Sequence, residues 1–154
     1  MNKTKFVKKL VRELEKNFPE YEFKREKNSI YNTIVNPENK SYSNSPKNPA
    51  REQMDFQPDI MVLKNELPLV LIETKYKDFS TQDILTYSEK VIKHKEIFSH
   101  LRYGFILGGN KKIDQRYFTH NRGFDFALAI PRVDDKEMKN LIGLLKKEIG
   151  ILNN

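Results

Sequence analysis

Two acidic residues and a lysine lie at the ends of two neighbouring apolar runs. Asp59 comes directly before the run 60–63, and Glu73 and Lys75 end the next run. A short polar connection, residues 64–68, separates the runs, which is the pattern of a buried β-hairpin. Because side chains alternate across a strand, Glu73 and Lys75 share one face of the second strand.

The length of the turn decides whether Asp59 meets Glu73. A turn of three or five residues pairs positions whose numbers sum to 132, which places Asp59 opposite Glu73 with Cβ atoms roughly 4.5–5.5 Å apart. A two-residue turn at Asn65 and Glu66 gives a sum of 131 and places Asp59 opposite Ile72. The sequence leaves both registers open.

Two carboxylates at that separation favour a bound cation, because they repel each other when both are ionised. Oxygen ligands with open coordination positions suit Mg²⁺. Such a cation polarises a phosphoryl oxygen and lowers the pKa of a bound water, while Lys75 can orient that water or offset charge on a phosphate. The residues therefore predict metal-assisted hydrolysis of a phosphodiester.

The alternative interpretation is an edge hairpin that carries an ordinary surface pair of glutamate and lysine. An acidic residue two positions before a lysine occurs five times in this charged chain. Only the copy at Glu73 ends an apolar strand and has an aspartate, Asp59, opening the preceding one. That combination favours the catalytic interpretation.

A Pro-Asp pair at 58–59, followed by the tripeptide Glu-Thr-Lys at 73–75, resembles the PD-(D/E)XK restriction-endonuclease-like superfamily. Within it, the run 69–75 is similar to the N-terminal nuclease region of type I restriction-enzyme motor subunits. The resemblance covers residues 57–87 as sequence and about 6–130 as an order of elements.

The resemblance implies a Mg²⁺-dependent endodeoxyribonuclease, of restriction type or a nuclease component, with Mn²⁺ as a substitute cation. Asp59 and Glu73 would bind the cation, the Thr74 carbonyl would join them, and Lys75 would be catalytic. Members often carry a further glutamate on the first helix. Glu13 is the candidate for this outer carboxylate, and the alternative is a solvated partner for a nearby lysine.

The elements around the hairpin indicate an α/β domain. Apolar periodicity, capping residues and turn residues predict helices over 4–18, from a cap at Ser80 to about 99, and over 134–150. Strands are predicted at 21–27, 29–35, 102–107 and 124–130. We therefore expect a central mixed β-sheet flanked by helices, with a restriction-endonuclease-like core, in a single domain spanning 1–154. A long polar loop at about 36–57 and a basic loop at 111–123 interrupt this pattern.

The net charge of +7 and the pI near 9.4 favour a polyanionic partner, and DNA is the partner expected. Basic, amide and aromatic side chains in the loops and on the helix after the hairpin can contact a nucleic-acid backbone or base. Lysines late in that helix also suit its negative end, and the long loop is equally interpreted as a polar insertion. The candidate contacts are Arg51, Lys77, Gln82, Lys90, Arg116, Tyr117 and Arg122. In some members a glutamine and a tyrosine follow the tripeptide with three residues between them, whereas Gln82 and Tyr87 are separated by four.

Other function classes are excluded by composition. The chain has no cysteine, which excludes disulfides, thiol catalysis and a thiolate zinc site. It has no apolar run long enough for a membrane span, and its basic N-terminus lacks the apolar region of a signal peptide, so a cytoplasmic location is expected. A homodimer would provide two sites for cutting both strands, and a larger restriction assembly is the other arrangement considered. The alternative function is a nucleic-acid-binding or interaction module of the same fold that does not cleave.

Overall fold

The computed structural model describes residues 1–25, 29–33, 53–56, 58–133 and 136–152. This part of the chain contains four helices and seven strands. In order they are α1 (Lys3–Asn17), β1 (Glu22–Arg25), β2 (Ser29–Thr33), β3 (Gln53–Phe56), β4 (Ile60–Lys64), β5 (Leu67–Tyr76), α2 (Thr81–Ile97), β6 (Arg102–Gly108), α3 (Gln115–His120), β7 (Phe126–Ile130) and α4 (Glu137–Leu152).

Five strands form a mixed sheet in the order β1-β4-β5-β6-β7. The first two pairings are antiparallel, and β5, β6 and β7 run parallel to one another. Apolar residues of α1 and α4 pack on one face of the sheet, and those of α2 and α3 pack on the other. The predicted class, an α/β protein with a central mixed sheet flanked by helices, is confirmed.

Helix α1 follows its predicted amphipathic pattern. The Asn2 side chain accepts a hydrogen bond from the Lys5 backbone and begins the helix, which ends at Asn17 shortly before Pro19. The buried side chains are those whose helical spacing the sequence shows: Phe6, Val7, Leu10, Val11 and Leu14. Burying this apolar stripe on the sheet stabilises the helix and decides which of its faces meets the sheet.

Helix α2 begins with the predicted capping box. The Ser80 hydroxyl accepts from the Asp83 backbone, and the Asp83 carboxylate accepts from the Ser80 backbone. The predicted cap of the last helix, near residue 134, lies outside the described residues. None of the helices in the described part of the chain is long and apolar enough to cross a membrane.

The β4–β5 hairpin combines a two-residue turn with a bulge. Asn65 and Glu66 have φ angles of 52° and 66°, the left-handed pair that a tight primed turn needs. The residue numbers of the paired positions next to the turn therefore sum to 131. An irregularity between Val62 and Leu63 raises this sum to 132 for the pairs farther from the turn. Ile60 consequently lies opposite Ile72.

The long polar loop predicted at 36–57 contains a strand, so this part of the prediction is corrected. Residues 53–56 form β3, which pairs with β2 in a separate two-stranded antiparallel sheet. That small sheet packs against α2. Residues 34–52 and 57, including the predicted contact Arg51, lie outside the described residues.

The predicted basic loop at 111–123 also contains regular structure, the short helix α3. Asp114 caps it by accepting a hydrogen bond from the Arg116 backbone. The Tyr117 ring anchors the helix by packing parallel to the Phe105 ring, with centroids 5.2 Å apart. One capped turn held by a buried aromatic side chain is too short for the periodicity of the sequence to reveal.

Candidate active site

The three predicted catalytic residues, Asp59, Glu73 and Lys75, lie at one edge of the large sheet. The parallel strands β5, β6 and β7 end at this edge, and the antiparallel neighbour β4 begins there. We call it the carboxyl edge. In open sheets of this kind, ligands bind where the parallel strands end.

Asp59 lies at the carboxyl edge, directly before β4. The last hairpin pair at this end is Ile60 with Ile72, so extending the register by one position brings Asp59 level with Glu73. The Asp59 Oδ2 atom accepts two hydrogen bonds of 2.8 Å from Thr74, one from the backbone nitrogen and one from the hydroxyl. The N–H and C=O of one strand residue point to the same side, so the Thr74 carbonyl also faces Asp59. Because Thr74 is fully buried, these bonds hold the carboxylate in a fixed position.

Helix α1 places the ammonium group of a lysine beside the Asp59 carboxylate. The Lys3 Nζ atom is 3.2 Å from Asp59 Oδ2. The two residues line a cleft of about 180 Å³ together with Thr4, Val7 and Arg25. The cleft therefore joins the first turn of α1 to the beginning of β4 and carries two basic side chains beside one acidic side chain.

Glu73 is a buried carboxyl group, only 4% exposed, on the face of β5 that α2 covers. Burial, and after it the negative charge of Asp59, raises the pKa of Glu73 to about 8. Lys3, Lys90 and a hydrogen bond of 3.5 Å from the Tyr103 hydroxyl oppose this rise. Burial therefore disfavours the charged form of Glu73, and a cation bound beside it would offset that cost.

The oxygen atoms at the carboxyl edge are of the kind that bind a divalent cation. In the described part of the chain, no three or more His, Cys, Asp or Glu residues come together as a metal cluster. The donors at the carboxyl edge are instead the two carboxylates of Asp59 and Glu73 and the carbonyl of Thr74. Mg²⁺ is commonly held by one or two carboxylates while it keeps several waters, so a small set of this kind suits it.

Lys75 lies two residues after Glu73, on the same face of β5 and partly exposed. Its Nζ atom is 3.4 Å from Asp83 Oδ1, while the other oxygen of Asp83 accepts from the Ser80 backbone. Lys75 is therefore attached to the first turn of α2 through a carboxylate that the capping box already holds. The sequence revealed Asp83 as a capping residue, but its contact with Lys75 was missed.

Of the glutamine and tyrosine on α2, only the tyrosine lies at the site. The Tyr87 ring centroid is 6.0 Å from Lys75 Nζ, and burial followed by the charges of nearby carboxylates, Glu73 first, raises the pKa of its hydroxyl. Gln82 is exposed, and its amide nitrogen is 3.4 Å from the Thr86 hydroxyl. The structure does not bring Gln82 to the carboxylates.

Glu13, the predicted outer carboxylate, also lies away from the pair. Its carboxylate accepts from Lys16 at 3.1 Å on the surface of α1. Ten residues separate it from Lys3, which is about 15 Å along a helix axis. The side chain that α1 brings to Asp59 is therefore a lysine.

Three of the predicted nucleic-acid contacts lie near the carboxyl edge. Lys77 is exposed in the turn after β5, with a φ angle of 73°. The charge of Lys90 on α2 reaches Glu73 and lowers its pKa, against the larger effect of burial. Arg116 is partly exposed and engaged with Asp78 at 3.0 Å while lying over the Phe79 ring.

The remaining two predicted contacts are placed differently. The Tyr117 ring is buried against Phe105 and is not available to stack on a base. The exposed aromatic side chain of α3 is its neighbour Phe118, at 60% exposure, which the sequence did not distinguish. Arg122 is exposed just before β7 begins. It therefore lies at the other end of the parallel strands, away from Lys75.

Comparison of the chain with protein-family models, with curated proteins and with solved structures gives no match. The function must therefore be argued from the chemistry of the carboxyl edge.

Proposed function

We propose that the protein is a metal-dependent nuclease that hydrolyses DNA phosphodiester bonds, with a restriction-endonuclease-like core. One observation carries the proposal. The bulged hairpin brings Asp59 against Thr74 at the end of β5, beside the buried Glu73 and two residues from Lys75. This arrangement provides two carboxylates for a cation and one cationic side chain facing solvent at the same edge.

The two carboxylates have different tasks in this proposal. Asp59 is oriented through Oδ2, and none of the described residues donates a hydrogen bond to its Oδ1, which is left for a ligand. Glu73 supplies a buried negative charge in an environment that disfavours ionisation without a nearby positive charge. When bound, Mg²⁺ or Mn²⁺ would polarise a phosphoryl oxygen and make a nearby water more acidic.

Lys75 is the residue proposed to act on the substrate. Its side chain, 28% exposed, extends from the same strand face as Glu73, and its ammonium group is held by Asp83. From that position it can hold the attacking water or stabilise negative charge on the phosphate. Lys75 is more exposed than Glu73, which suits a group that must meet a polymer from outside.

The charge of the carboxyl edge supports a polyanionic substrate. Basic side chains surround the acidic pair there, and the whole chain has a net charge of +7. Positive groups of this kind attract a phosphate backbone and make binding depend on salt. Those at or beside the edge are Lys3, Arg25, Lys75, Lys77, Lys90, Lys111, Lys112 and Arg116.

The proposal is tested by incubating the protein with supercoiled plasmid, single-stranded DNA and RNA in Mg²⁺, in Mn²⁺ or in EDTA. The expected result is nicking or cleavage of DNA that requires the cation and disappears in Asp59→Ala. Equal activity in the variant or in EDTA would contradict the proposal. Cleavage of RNA alone would keep the metal site but overturn the choice of substrate.

A second candidate function is a binding module that does not cleave. It is favoured by the internal pairing of Asp59 with Lys3 and of Lys75 with Asp83, which satisfies both side chains without a ligand. Salt-sensitive DNA retention by wild-type protein, without cleavage in either cation, would establish this function in place of the nuclease.

Replacing Asp83 by asparagine is expected to lower the rate of DNA hydrolysis about tenfold. The neutral side chain loses the ion pair that steadies Lys75, and small misplacements of a catalytic group are costly. The rate is measured at saturating DNA in Mg²⁺, together with the melting temperature.

Ser80→Ala is the matched control for Asp83→Asn. It weakens the same capping box, at a cost of about 1 kcal/mol, but leaves the carboxylate beside Lys75. Its hydrolysis rate should stay within about twofold of wild type. Equal rates in the two variants would show that Asp83 acts only as a cap.

A further inference from the structure

We propose that Lys3 is a displaceable counter-ion of the metal site, which neutralises Asp59 in the cation-free protein and competes with a divalent cation for it. The inference rests on the proposed nuclease function and concerns the control of that same site. Helix α1 then contributes a positive charge that repels the metal ion, instead of an additional carboxylate that binds it.

One oxygen of the Asp59 carboxylate already contacts several groups of the protein. This atom, Oδ2, accepts two hydrogen bonds from Thr74, one from the backbone and one from the hydroxyl, and forms an ion pair with the Lys3 ammonium. The hydrogen bonds from Thr74 orient the group, and the ion pair with Lys3 adds the compensating charge. A divalent cation that binds this carboxylate must approach the same ammonium group, and the two positive charges repel each other.

The Lys3 side chain can move away from Asp59 with little loss of free energy. Its side chain is 42% exposed, whereas that of Asp59 is 19% exposed. An ion pair with one partner so accessible is weak, and the long lysine side chain can turn into water. The cleft lined by Thr4, Val7 and Arg25 provides room beside the carboxylate. Displacement is therefore local and does not require movement of the helix.

The pairing of Lys3 with Asp59 is also specific. In the described part of the chain, Lys3 is the only cationic side chain within ion-pair distance of Asp59. Arg25 lines the same cleft but forms no ion pair with Asp59. Lys3 therefore sets the charge that an arriving cation meets at this ligand.

The test is the affinity for Mg²⁺ and Mn²⁺, measured by isothermal titration calorimetry without DNA. Lys3→Met, which keeps the length of the side chain and removes its charge, should bind the cation about fivefold more tightly than wild type, the upper range for losing an exposed ion pair. Lys3→Arg should bind like wild type. Lys5→Met is the charge-matched control on the same helix and should change the affinity less than twofold.

The sign of the change separates the inference from a merely structural role. If Lys3 only held Asp59 in place, Lys3→Met would weaken cation binding, and that result would overturn the inference. Unchanged affinity, with binding still abolished by Asp59→Ala, would also overturn it while leaving the nuclease proposal standing. Absence of Asp59-dependent binding in wild type and every Lys3 variant would overturn the metal site itself and the inference with it.

Discussion

Replacing Lys75 by alanine is expected to lower the rate of cation-dependent DNA hydrolysis about 10³-fold, while the affinity for Mg²⁺ changes by less than about threefold. Lys75 extends from the strand face that carries Glu73 but has no oxygen to offer a cation. Its loss removes the positive charge that meets the reacting phosphate or its water. Single-turnover cleavage of a labelled duplex measures the rate, and calorimetry measures the affinity.

The metal-ligand variants should behave differently from Lys75→Ala. Asp59→Ala and Glu73→Gln each remove a proposed ligand, so both cation affinity and hydrolysis should fall. Lys77→Gly is the control for charge, because it removes a nearby exposed lysine and glycine suits the φ angle of 73°. It should weaken DNA binding several-fold with little change in the single-turnover rate at saturating protein. A Lys75→Ala variant that hydrolyses DNA like wild type would exclude the proposed role.

Replacing Glu73 by glutamine is expected to raise the free energy of unfolding by roughly 4–5 kcal/mol at about pH 9, measured in EDTA. Burial, followed by the charge of Asp59, raises the pKa of Glu73 in the folded protein to about 8, from its ordinary value of 4.5. Between these values the folded protein holds a proton that the unfolded chain releases. The contribution of Glu73 to stability therefore falls as pH rises through this window, and it levels off above it.

Glutamine keeps the size of the side chain and has no proton to lose, so the advantage of the variant should be small at about pH 4.5 and grow towards pH 9. Urea unfolding at several pH values measures it. Glu13→Gln is the matched control, because Glu13 is partly exposed and forms an ion pair with Lys16. Its effect should stay within about 0.5 kcal/mol at every pH. A Glu73→Gln effect independent of pH would contradict the burial argument, and saturating Mg²⁺ should stabilise wild type but not the variant.

The hairpin illustrates how far the sequence predicts this fold. The apolar runs and their polar connection predicted two strands, and alternation predicted that Glu73 and Lys75 share a face. The register depends on two local features that act together. The turn has the two residues that give a sum of 131, and the bulge after Val62 restores 132 at the end near Asp59. Pro68 lies at that irregularity, opposite Leu63, and proline within paired strands is found mainly at edges and bulges. It is therefore the sequence signal for the bulge, which the interpretation of residues 64–68 as a polar connection overlooked.

The contribution of α1 illustrates what sequence patterns leave out. Helical spacing predicted the buried face, including Phe6 and Leu14, because burial of an apolar stripe is a property of the helix itself. Which end of the helix reaches Asp59 depends on how α1 packs across the sheet. The structure brings Lys3 there and leaves Glu13 on the surface.

Helix α2 illustrates the same limit for Lys75, the proposed catalytic lysine. The capping box of Ser80 and Asp83 was predicted because it involves only neighbouring residues. The second contact of Asp83, with Lys75, depends on the path of the chain between β5 and α2. The sequence thus predicted the capping contact within α2, whereas the contact between α2 and β5 required the structure.

The most direct test of the nuclease proposal starts from protein and supercoiled DNA mixed without divalent cation, to which Mg²⁺ or Mn²⁺ is then added. Wild type and Asp59→Ala are purified and followed in parallel. The proposal predicts that nicked or linear DNA accumulates only after the cation is added and only with wild-type protein. Conversion at equal rates in the two proteins, or no conversion by wild type while it binds the cation, would contradict it.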